Sequence, residues 1–301
     1  MELVKLKPSI KDYIWGGTYF KAFNKGTSLD RVSECWELSV RDNDSSIISS
    51  GKDSGKRLVD IISKEDIGPV MDRFPYFPLL IKLIDAKENL SVQVHPSDDY
   101  ALKNENSFGK SEMWHIISAD EGSGLYVGLN KDYKKEEIEK ALKEGTILDC
   151  LNFFKVKPGD TFIINPGTIH AIGAGVRLIE IQQNSNLTYR LYDYNRLDQD
   201  GNPRPLHIKK ALDVIDYRQY QMPQSNGEYL ADNKYFTVKA VEFNGELKIA
   251  ANEKSFVSFT FLEGMGFVNE YMYHQYDTFF LPYGKECSIN GKGKVIISMV
   301  R

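Results

Sequence analysis

The sequence predicts a mainly β protein made of two related β modules, with a few short helices inserted around the first. Three observations support this prediction. Several short segments alternate apolar and polar residues with the period of a strand. Residues that favour strands are frequent, with 17 tyrosines and 16 phenylalanines among 301 residues. Finally, the pattern Asp160-Thr161-Phe162…Gly167…His170 recurs without a gap as Asp277-Thr278-Phe279…Gly284…Cys287, which indicates a duplicated module.

The composition narrows the classes of protein and partner. Hydrophobic residues make up 42% and charged residues 27%, as in a globular protein of one or two domains. The net charge is −4 without a basic run, which argues against nucleic acid as a partner. No apolar leader and no run of about 18 apolar residues occurs, so we expect neither secretion nor a membrane span. The three widely spaced cysteines form no disulfide or CxxC pattern and fit the cytoplasm; they are Cys35, Cys150 and Cys287.

The N-terminal elements are short. Residues 1–56 contain extended pieces and turns, and Leu58 with Ile61 predicts a helix within residues 57–64.

Residues 78–85 form an apolar strand that Lys82 interrupts. Lys82 either lies at a sheet edge with its ammonium in water, or points into a polar cavity on the same sheet as His95.

The stretch Ser91-Val92-Gln93-Val94-His95-Pro96 alternates its two faces. Val92 and Val94 point one way, whereas Ser91, Gln93 and His95 point the other. Side chains at i and i+2 on one strand converge, so Gln93 and His95 form a good half of a metal site. The alternative is a partly buried histidine held by a hydrogen bond.

The next segments predict a helix, a strand and a longer helix. A helix begins after Ser97, which suits a cap position, and ends near Asn106. In the following strand Glu112 and Trp114 share one face and His115 takes the other, so Glu112 and His115 cannot both reach one metal. We therefore assign His115 a structural role. Residues 132–144 predict the clearest helix, and a helical turn at 147–151 precedes further strands at 153–156, 176–182 and 187–194.

The C-terminal third predicts a second module without a metal. Cys287 stands where His170 stands in the first copy, and no Gln-x-His pair precedes it. The polar stretch at 221–233 suits a boundary. We therefore divide the chain into a metal-binding catalytic module at 1–221 and a β module without metal at 222–301.

Four side chains on three strand-like segments make a mixed nitrogen and oxygen ligand set. They are Gln93, His95, Glu112 and His170. This set suits Zn²⁺ and also accepts Mn²⁺, Fe²⁺ or Co²⁺. With one carboxylate the bound ion keeps a net positive charge and remains a Lewis acid.

The same residues carry a resemblance to known families. The Gln-x-His strand, the later Glu112 and the spacing from Gly159 through Gly167 to His170 resemble cupins, which are double-stranded β-helix (jelly-roll) barrels. The chain departs from cupins in general at Gln93, at the distant Glu112 and at Pro166. It resembles type I mannose-6-phosphate isomerases, particularly their short bacterial and archaeal group, which shows these departures. The matching segments are Tyr13-Ile14-Trp15-Gly16-Gly17, Gln93-Val94-His95-Pro96, Gly109-Lys110-Ser111-Glu112-Met113-Trp114, Pro166-Gly167-Thr168-Ile169-His170-Ala171 and residues 184–195.

The resemblance implies a fold of two cupin-type jelly-roll barrels, a set of zinc ligands and active-site residues, and a reaction. It implies zinc at Gln93, His95, Glu112 and His170, a catalytic Arg190, and active-site positions at Lys82, Lys110 and Glu180. The implied reaction interconverts mannose 6-phosphate and fructose 6-phosphate through an enediolate. The expected partner is thus a sugar phosphate, with no nucleic acid or membrane, for a monomer or homodimer.

Several roles remain open at this stage. Arg190 either stabilises the enediolate or makes a surface salt bridge with Asp193. Glu180 is the leading base, with Lys110 and a metal-bound hydroxide as rivals, and Lys110 or Lys82 receives the phosphate or moves protons. Two other functions stay possible: a non-catalytic sugar-phosphate-binding cupin, and another metal cupin enzyme.

Overall fold

The computed structural model describes residues 1–198, 201–223, 227–251 and 254–300. Strands dominate, so the predicted mainly β class is confirmed. In chain order the elements are β1 (Val4–Lys7), β2 (Ser9–Lys11), β3 (Glu34–Leu38), β4 (Ile47–Ile48), α1 (Leu58–Ile61), α2 (Lys64–Ile67), β5 (Leu79–Ala86), β6 (Val92–Val94), α3 (Asp98–Glu105), β7 (Glu112–Ala119), β8 (Gly124–Leu129), α4 (Lys135–Glu144), β9 (Leu151–Lys155), β10 (Thr161–Ile164), β11 (His170–Ile172), β12 (Val176–Gln183), β13 (Tyr189–Tyr192), α5 (Ile208–Val214), β14 (Ala231–Asp232), β15 (Thr237–Ala250), β16 (Val257–Val268), β17 (Tyr271–Tyr273), β18 (Thr278–Leu281) and β19 (Glu286–Met299), with 3₁₀ helices at Tyr19–Phe23, Pro69–Asp72 and Ile147–Cys150.

Two antiparallel sheets built from residues 9–192 face each other. One has the strand order β10-β7-β12-β5-β3-β2, and the other has the order β13-β6-β11-β8-β9. An apolar cluster drawn from both sheets, including Trp114, Leu178 and Val127, fills one end of the space between them. Burial of this cluster holds the sheets together. Polar side chains occupy the other end, where the candidate site lies.

Helices cover the outer face of the five-stranded sheet. Ile138 of α4 and Leu212 of α5 belong to the same apolar cluster as Val92 and Val94 of β6. The predicted helix at 132–144 begins three residues later, because Lys134 is extended; it ends as predicted before Gly145, which is left-handed. Helix α3 follows its prediction at both ends, with the hydroxyl of Ser97 accepting from the backbone of Tyr100.

The third sheet contains the six C-terminal strands named above, β14 to β19, and two short N-terminal ones. Its order is β14-β15-β19-β16-β18-β1-β4, with β17 pairing only to β16. Strand β1 pairs with β18 in the register Val4↔Phe280, so the start of the chain adds to the C-terminal sheet. The predicted division at 221/222 does not follow the sheets, because β1 and β4 share a sheet with the C-terminal strands. The division stays a prediction.

The repeated pattern corresponds to a repeated local structure. In each copy a four-residue strand, β10 or β18, is followed by a turn with a left-handed glycine and then by another strand. Gly167 has φ +87° and Gly284 has φ +76°, a conformation that favours glycine. No helix in the described ranges combines the length and apolarity needed to cross a bilayer.

Candidate metal centre and substrate cleft

Three predicted ligands meet in the interior between the facing sheets. His95 follows β6, Glu112 begins β7 and His170 begins β11, and each is at most 1% exposed. The Nε2 atom of His95 lies 3.5 Å from Oε2 of Glu112, and Nε2 of His170 lies 3.4 Å from Oε1. The ligand atoms all lie within 4.8 Å of one another, which is close enough to share one ion.

The backbone fixes which imidazole nitrogen faces the carboxylate. The Nδ1 atom of His95 lies 2.7 Å from the carbonyl oxygen of Leu187, and Nδ1 of His170 lies 2.8 Å from that of Thr168. A carbonyl only accepts, so each Nδ1 carries the proton and each Nε2 turns its lone pair toward Glu112. Lone pairs that face carboxylate oxygens are unfavourable unless a cation lies between them. This arrangement fits a metal.

Gln93 completes the predicted set through the strand pairing. It lies directly opposite His170 in the β6–β11 pair, and its Nε2 lies 3.3 Å from Nε2 of His170. Rotation of the Gln93 amide by 180° exchanges Nε2 and Oε1, and so brings the oxygen, the atom that can bind a metal, beside His170. The structure thus brings all four sequence-predicted ligands to one place.

Electrostatics keep these groups in the protonation states that a metal requires. Burial, with the charge of Lys110, lowers the pKa of His95 to about 4, and burial lowers the pKa of His170. Burial alone would raise the pKa of Glu112, but Lys110 and His95 hold it well below its usual range. The imidazoles are neutral and the carboxylate is charged, as metal binding demands.

Lys110 lies at the edge of the ligand set. Its Nζ is 2.6 Å from Oε2 of Glu112 and 3.2 Å from Nε2 of His95, and the residue is only 5% exposed. Backbone bonds at Gly109 and Ser111, to Asp98 and Gln183, fix the segment that carries it. The lysine therefore contacts Glu112, one of the predicted metal ligands.

Lys82 lies inside the sheet, so its interpretation as an edge lysine is wrong. Strand β5 runs between β12 and β3, and Lys82 is 8% exposed. Its Nζ lies 3.1 Å from Oε1 of Glu180 and 3.5 Å from Oε2 of Glu34, and Trp114 donates to Oε2 of Glu180 at 2.9 Å. Two carboxylates from distant parts of the chain make burial of this ammonium possible.

Arg190 belongs to the cleft and does not pair with Asp193. It lies opposite Gln93 in the β13–β6 pair, and its guanidinium donates to the hydroxyl of Ser91 and to the carbonyl of Pro205. Asp193 instead accepts from Arg196 and Arg204 at 2.6 and 2.5 Å. Arg190 makes no ion pair with a carboxylate of the described residues.

A cleft of about 720 Å³ adjoins the ligand group, and Gln93 is the predicted ligand that lines it. Lys82, Lys110, Glu180, Arg190 and Gln93 all line it. Sequence reasoning missed further lining residues: Glu34, Trp36, Glu105, Arg204, His207 and Lys210. Arg204, His207 and Lys210 lie in a segment without strand period, so the only signal for these three is the basic character of residues 204–210.

Two residues lie away from this site as predicted. His115 points to the other face of β7, where its Nδ1 lies 2.8 Å from the hydroxyl of Thr161. Cys287 is packed in the apolar cluster of the C-terminal sheet. Among the described residues, the group formed by His95, Glu112 and His170 is the one metal-capable cluster of at least three such side chains.

Comparisons with known proteins place these observations in a family. A family model described as the catalytic domain of type I phosphomannose isomerase matches residues 3–136. Mannose-6-phosphate isomerase ManA of Bacillus subtilis is 36% identical over 310 residues, with 97% of each chain covered. The mannose-6-phosphate isomerase of Streptococcus mutans is 34% identical, over 81% of this chain and 80% of its own.

Solved structures share the fold. The crystal structure of the mannose 6-phosphate isomerase from Bacillus subtilis matches all of both chains with a TM-score of 0.87 and 31% identity. A zinc-bound mannose 6-phosphate isomerase matches with a TM-score of 0.80 at 15% identity. The resemblance of the sequence therefore extends to the architecture of the whole chain.

Proposed function

This chain belongs to the type I phosphomannose isomerases, and we propose that the cleft described above is where it interconverts mannose 6-phosphate and fructose 6-phosphate. The activity is that of a mannose-6-phosphate isomerase with zinc as its metal. One observation carries the assignment of the site. The ligand group of His95, Glu112 and His170 contacts Gln93 and Lys110, which line a cleft that also holds Arg190.

The reaction sets three requirements. It moves a proton between C2 and C1 of the open-chain sugar through an enediolate. The site therefore needs a base for a weakly acidic C–H, positive charge beside the oxyanion, and an anchor for the phosphate. Gln93, His95, Glu112 and His170 would hold zinc, which when bound would supply Lewis-acid charge for the oxyanion.

Arg190 is proposed to stabilise the developing enediolate. It lies opposite Gln93 in the β13–β6 pair, and both side chains line the cleft. The contacts to Ser91 and Pro205 use Nε and Nη1, which leaves donors for an anionic oxygen. A planar fork suits the two neighbouring oxygens of an enediolate.

Glu180 is the proposed base. The carboxylate lies in the cleft, 3% exposed, and bonds from Lys82 and Trp114 fix its position. It takes the proton from C2 at one oxygen and returns it to C1, while Lys82 balances its charge. Lys110 is the proposed second proton carrier, because it reaches both the cleft and Glu112.

A coupled assay tests the function. Purified protein should convert mannose 6-phosphate to fructose 6-phosphate, lose this activity in a chelator and regain it with zinc. Glu180→Gln keeps the shape of the side chain and should lower kcat roughly 10²- to 10⁴-fold while zinc content stays at one per chain. Conversion that continues unchanged in fully metal-free protein would overturn the proposal.

We also propose the setting in which the enzyme acts. The low, dispersed cysteine content and the charge of −4 fit a cytoplasmic monomer or homodimer with no nucleic-acid or membrane partner. Sedimentation of the purified protein, with and without vesicles, tests this setting.

A further inference from the structure

We propose that Glu34 opens the sugar ring before isomerisation, as a second carboxylate base beside Glu180. This inference rests on the proposed function, because it assumes that mannose 6-phosphate binds in the cleft. Hexose phosphates in water are mostly cyclic hemiacetals, whereas an enediolate forms only from the open chain. Ring opening moves a proton from O1 to O5, and the later step moves a proton from C2 to C1. The two steps therefore call for bases at different atoms.

Glu34 lies beside a polar row on the inner face of the six-stranded sheet. Strand pairing places Glu180 opposite Lys82, and Lys82 opposite Trp36. Glu34 comes two residues before Trp36 on β3, so both side chains take the same face of that strand. All four side chains line the cleft. One carboxylate thus reaches the cleft from β3 and the other from β12.

A single ammonium group joins the two carboxylates. The Nζ atom of Lys82 lies 3.1 Å from Oε1 of Glu180 and 3.5 Å from Oε2 of Glu34. Burial alone would lower the pKa of Lys82, but Glu180 and Glu34 raise it above its usual value. The ammonium therefore stays charged, and it also lies 5.1 Å from the ring centre of Trp36. Because both carboxylates lie within 3.5 Å of the same nitrogen, one bound sugar can contact both.

The two carboxylates differ in how their oxygens are used. Trp114 donates to Oε2 of Glu180 and Lys82 contacts its Oε1, so each oxygen has a partner. In Glu34, Trp36 donates to Oε2 at 2.6 Å, and Lys82 faces that same atom. No hydrogen bond or ion pair from a described residue reaches Oε1 of Glu34. This oxygen is free to accept from a sugar hydroxyl, and the contacts at Oε2 fix its direction.

One carboxylate oxygen can carry out the whole ring opening. Oε1 of Glu34 takes the proton of the O1 hydroxyl, and the electron pair of that O–H bond forms the C1=O1 double bond. The C1–O5 bond breaks with its electron pair on O5, which takes the proton back from Glu34. O1 and O5 are attached to the same carbon, so a single oxygen atom reaches both. Glu34 ends as a carboxylate, and the open-chain aldehyde is ready for proton transfer at C2.

Glu34→Gln is the main test, and Glu180→Gln is its comparison. Each variant replaces a carboxylate of the cleft by an amide of the same shape. Mannose 6-phosphate deuterated at C2 reports which step limits the rate, because only the isomerisation step breaks the C2–H bond. In Glu34→Gln we expect kcat/KM to fall roughly 10²-fold and its deuterium isotope effect to approach 1. In Glu180→Gln the isotope effect should be at least as large as in the wild type.

Two further variants complete the test. Glu34→Asp keeps the charge beside Lys82 but withdraws the oxygen by one bond, so its isotope effect should also approach 1 even if Glu34→Gln is unstable. Glu105→Gln is the matched control, because this cleft carboxylate is held by Lys210 and Tyr189; it should keep the isotope effect of the wild type.

The outcomes separate this inference from the proposed function. A wild-type rate in both Glu34 variants, or a lowered rate with an isotope effect as large as that of the wild type, would overturn the role of Glu34. A wild-type protein that does not convert mannose 6-phosphate would instead overturn the proposed function.

Discussion

The two copies of the repeated pattern share a backbone and differ in what they enclose. In the first copy the strand after the glycine turn begins with His170, which faces Glu112. In the second copy the corresponding strand carries Cys287, which packs with Ile249 and Ile289 in an apolar cluster. Phe259 and Phe279 stack at 5.4 Å in that cluster. At this shared position, a histidine joins the ligand group in the first copy, whereas a cysteine joins an apolar core in the second.

The C-terminal part of the chain contributes to the site through a hydrogen-bond chain. The hydroxyl of Tyr235 donates to Oδ2 of Asp98 at 2.6 Å. Oδ1 of Asp98 accepts from the amide of Gly109 and from the side chain of Gln183, which in turn accepts from the amide of Ser111. The C-terminal side of the molecule thus holds the short segment that carries Lys110.

The largest effect is expected from the metal-binding module. His95→Ala removes an imidazole and should abolish bound zinc, and activity should fall roughly 10³-fold or more. His115→Asn is the matched control, because His115 is also buried but faces away from the ligands. Zinc content by mass spectrometry and the coupled assay check both variants. Full activity in metal-free His95→Ala would exclude the proposed metal site as a requirement for activity.

Arg190→Lys should act on chemistry and leave folding intact. The substitution keeps the charge but loses the planar fork, so we expect kcat to fall roughly 10²-fold, while the thermal midpoint changes little. Steady-state kinetics and thermal unfolding measure the two quantities. A kcat equal to that of the wild type would exclude the proposed role of the fork.

Tyr235→Phe tests the link between the modules. It leaves Asp98 with one donor fewer, so we expect a loss of about 1 kcal/mol of stability and a severalfold lower kcat/KM. Tyr273→Phe is the control, because its buried hydroxyl has no hydrogen-bond partner among the described residues. Denaturant unfolding and the coupled assay report the two effects. If both variants keep wild-type kcat/KM, the second module does not position the site.

Cys287→Ala should have the smallest effect on the site. The thiol is packed in the apolar cluster of the C-terminal sheet, so its removal should cost about 1 kcal/mol of stability without changing zinc content. Metal analysis of the variant decides the matter. Loss of zinc would mean that the second module takes part in metal binding.

The sequence predicted the parts of the site that depend on local periodicity. Alternation along a strand separated Glu112 from His115 and paired Gln93 with His95, and the structure places them so. A period of two fixes the face of a side chain before anything else is known. The four ligands followed from such arguments together with the family resemblance.

What the sequence missed depends on contacts between distant segments. The burial of Lys82 requires Glu34 and Glu180, which only sheet pairing brings beside it. Arg204 lies in a segment without strand or helix period, and its place in the cleft follows from Asp193. Helix α5 was not predicted, although its apolar residues pack on the five-stranded sheet. Such positions follow from tertiary structure and not from local pattern.

An anomalous difference map at the zinc edge, from crystals of active enzyme, shows whether the four predicted ligands hold zinc. We predict one zinc peak per chain, coordinated by the side chains of Gln93, His95, Glu112 and His170 at about 2.0–2.2 Å. A fully active enzyme with no peak at this position, or with its zinc beside Cys287, would contradict the account.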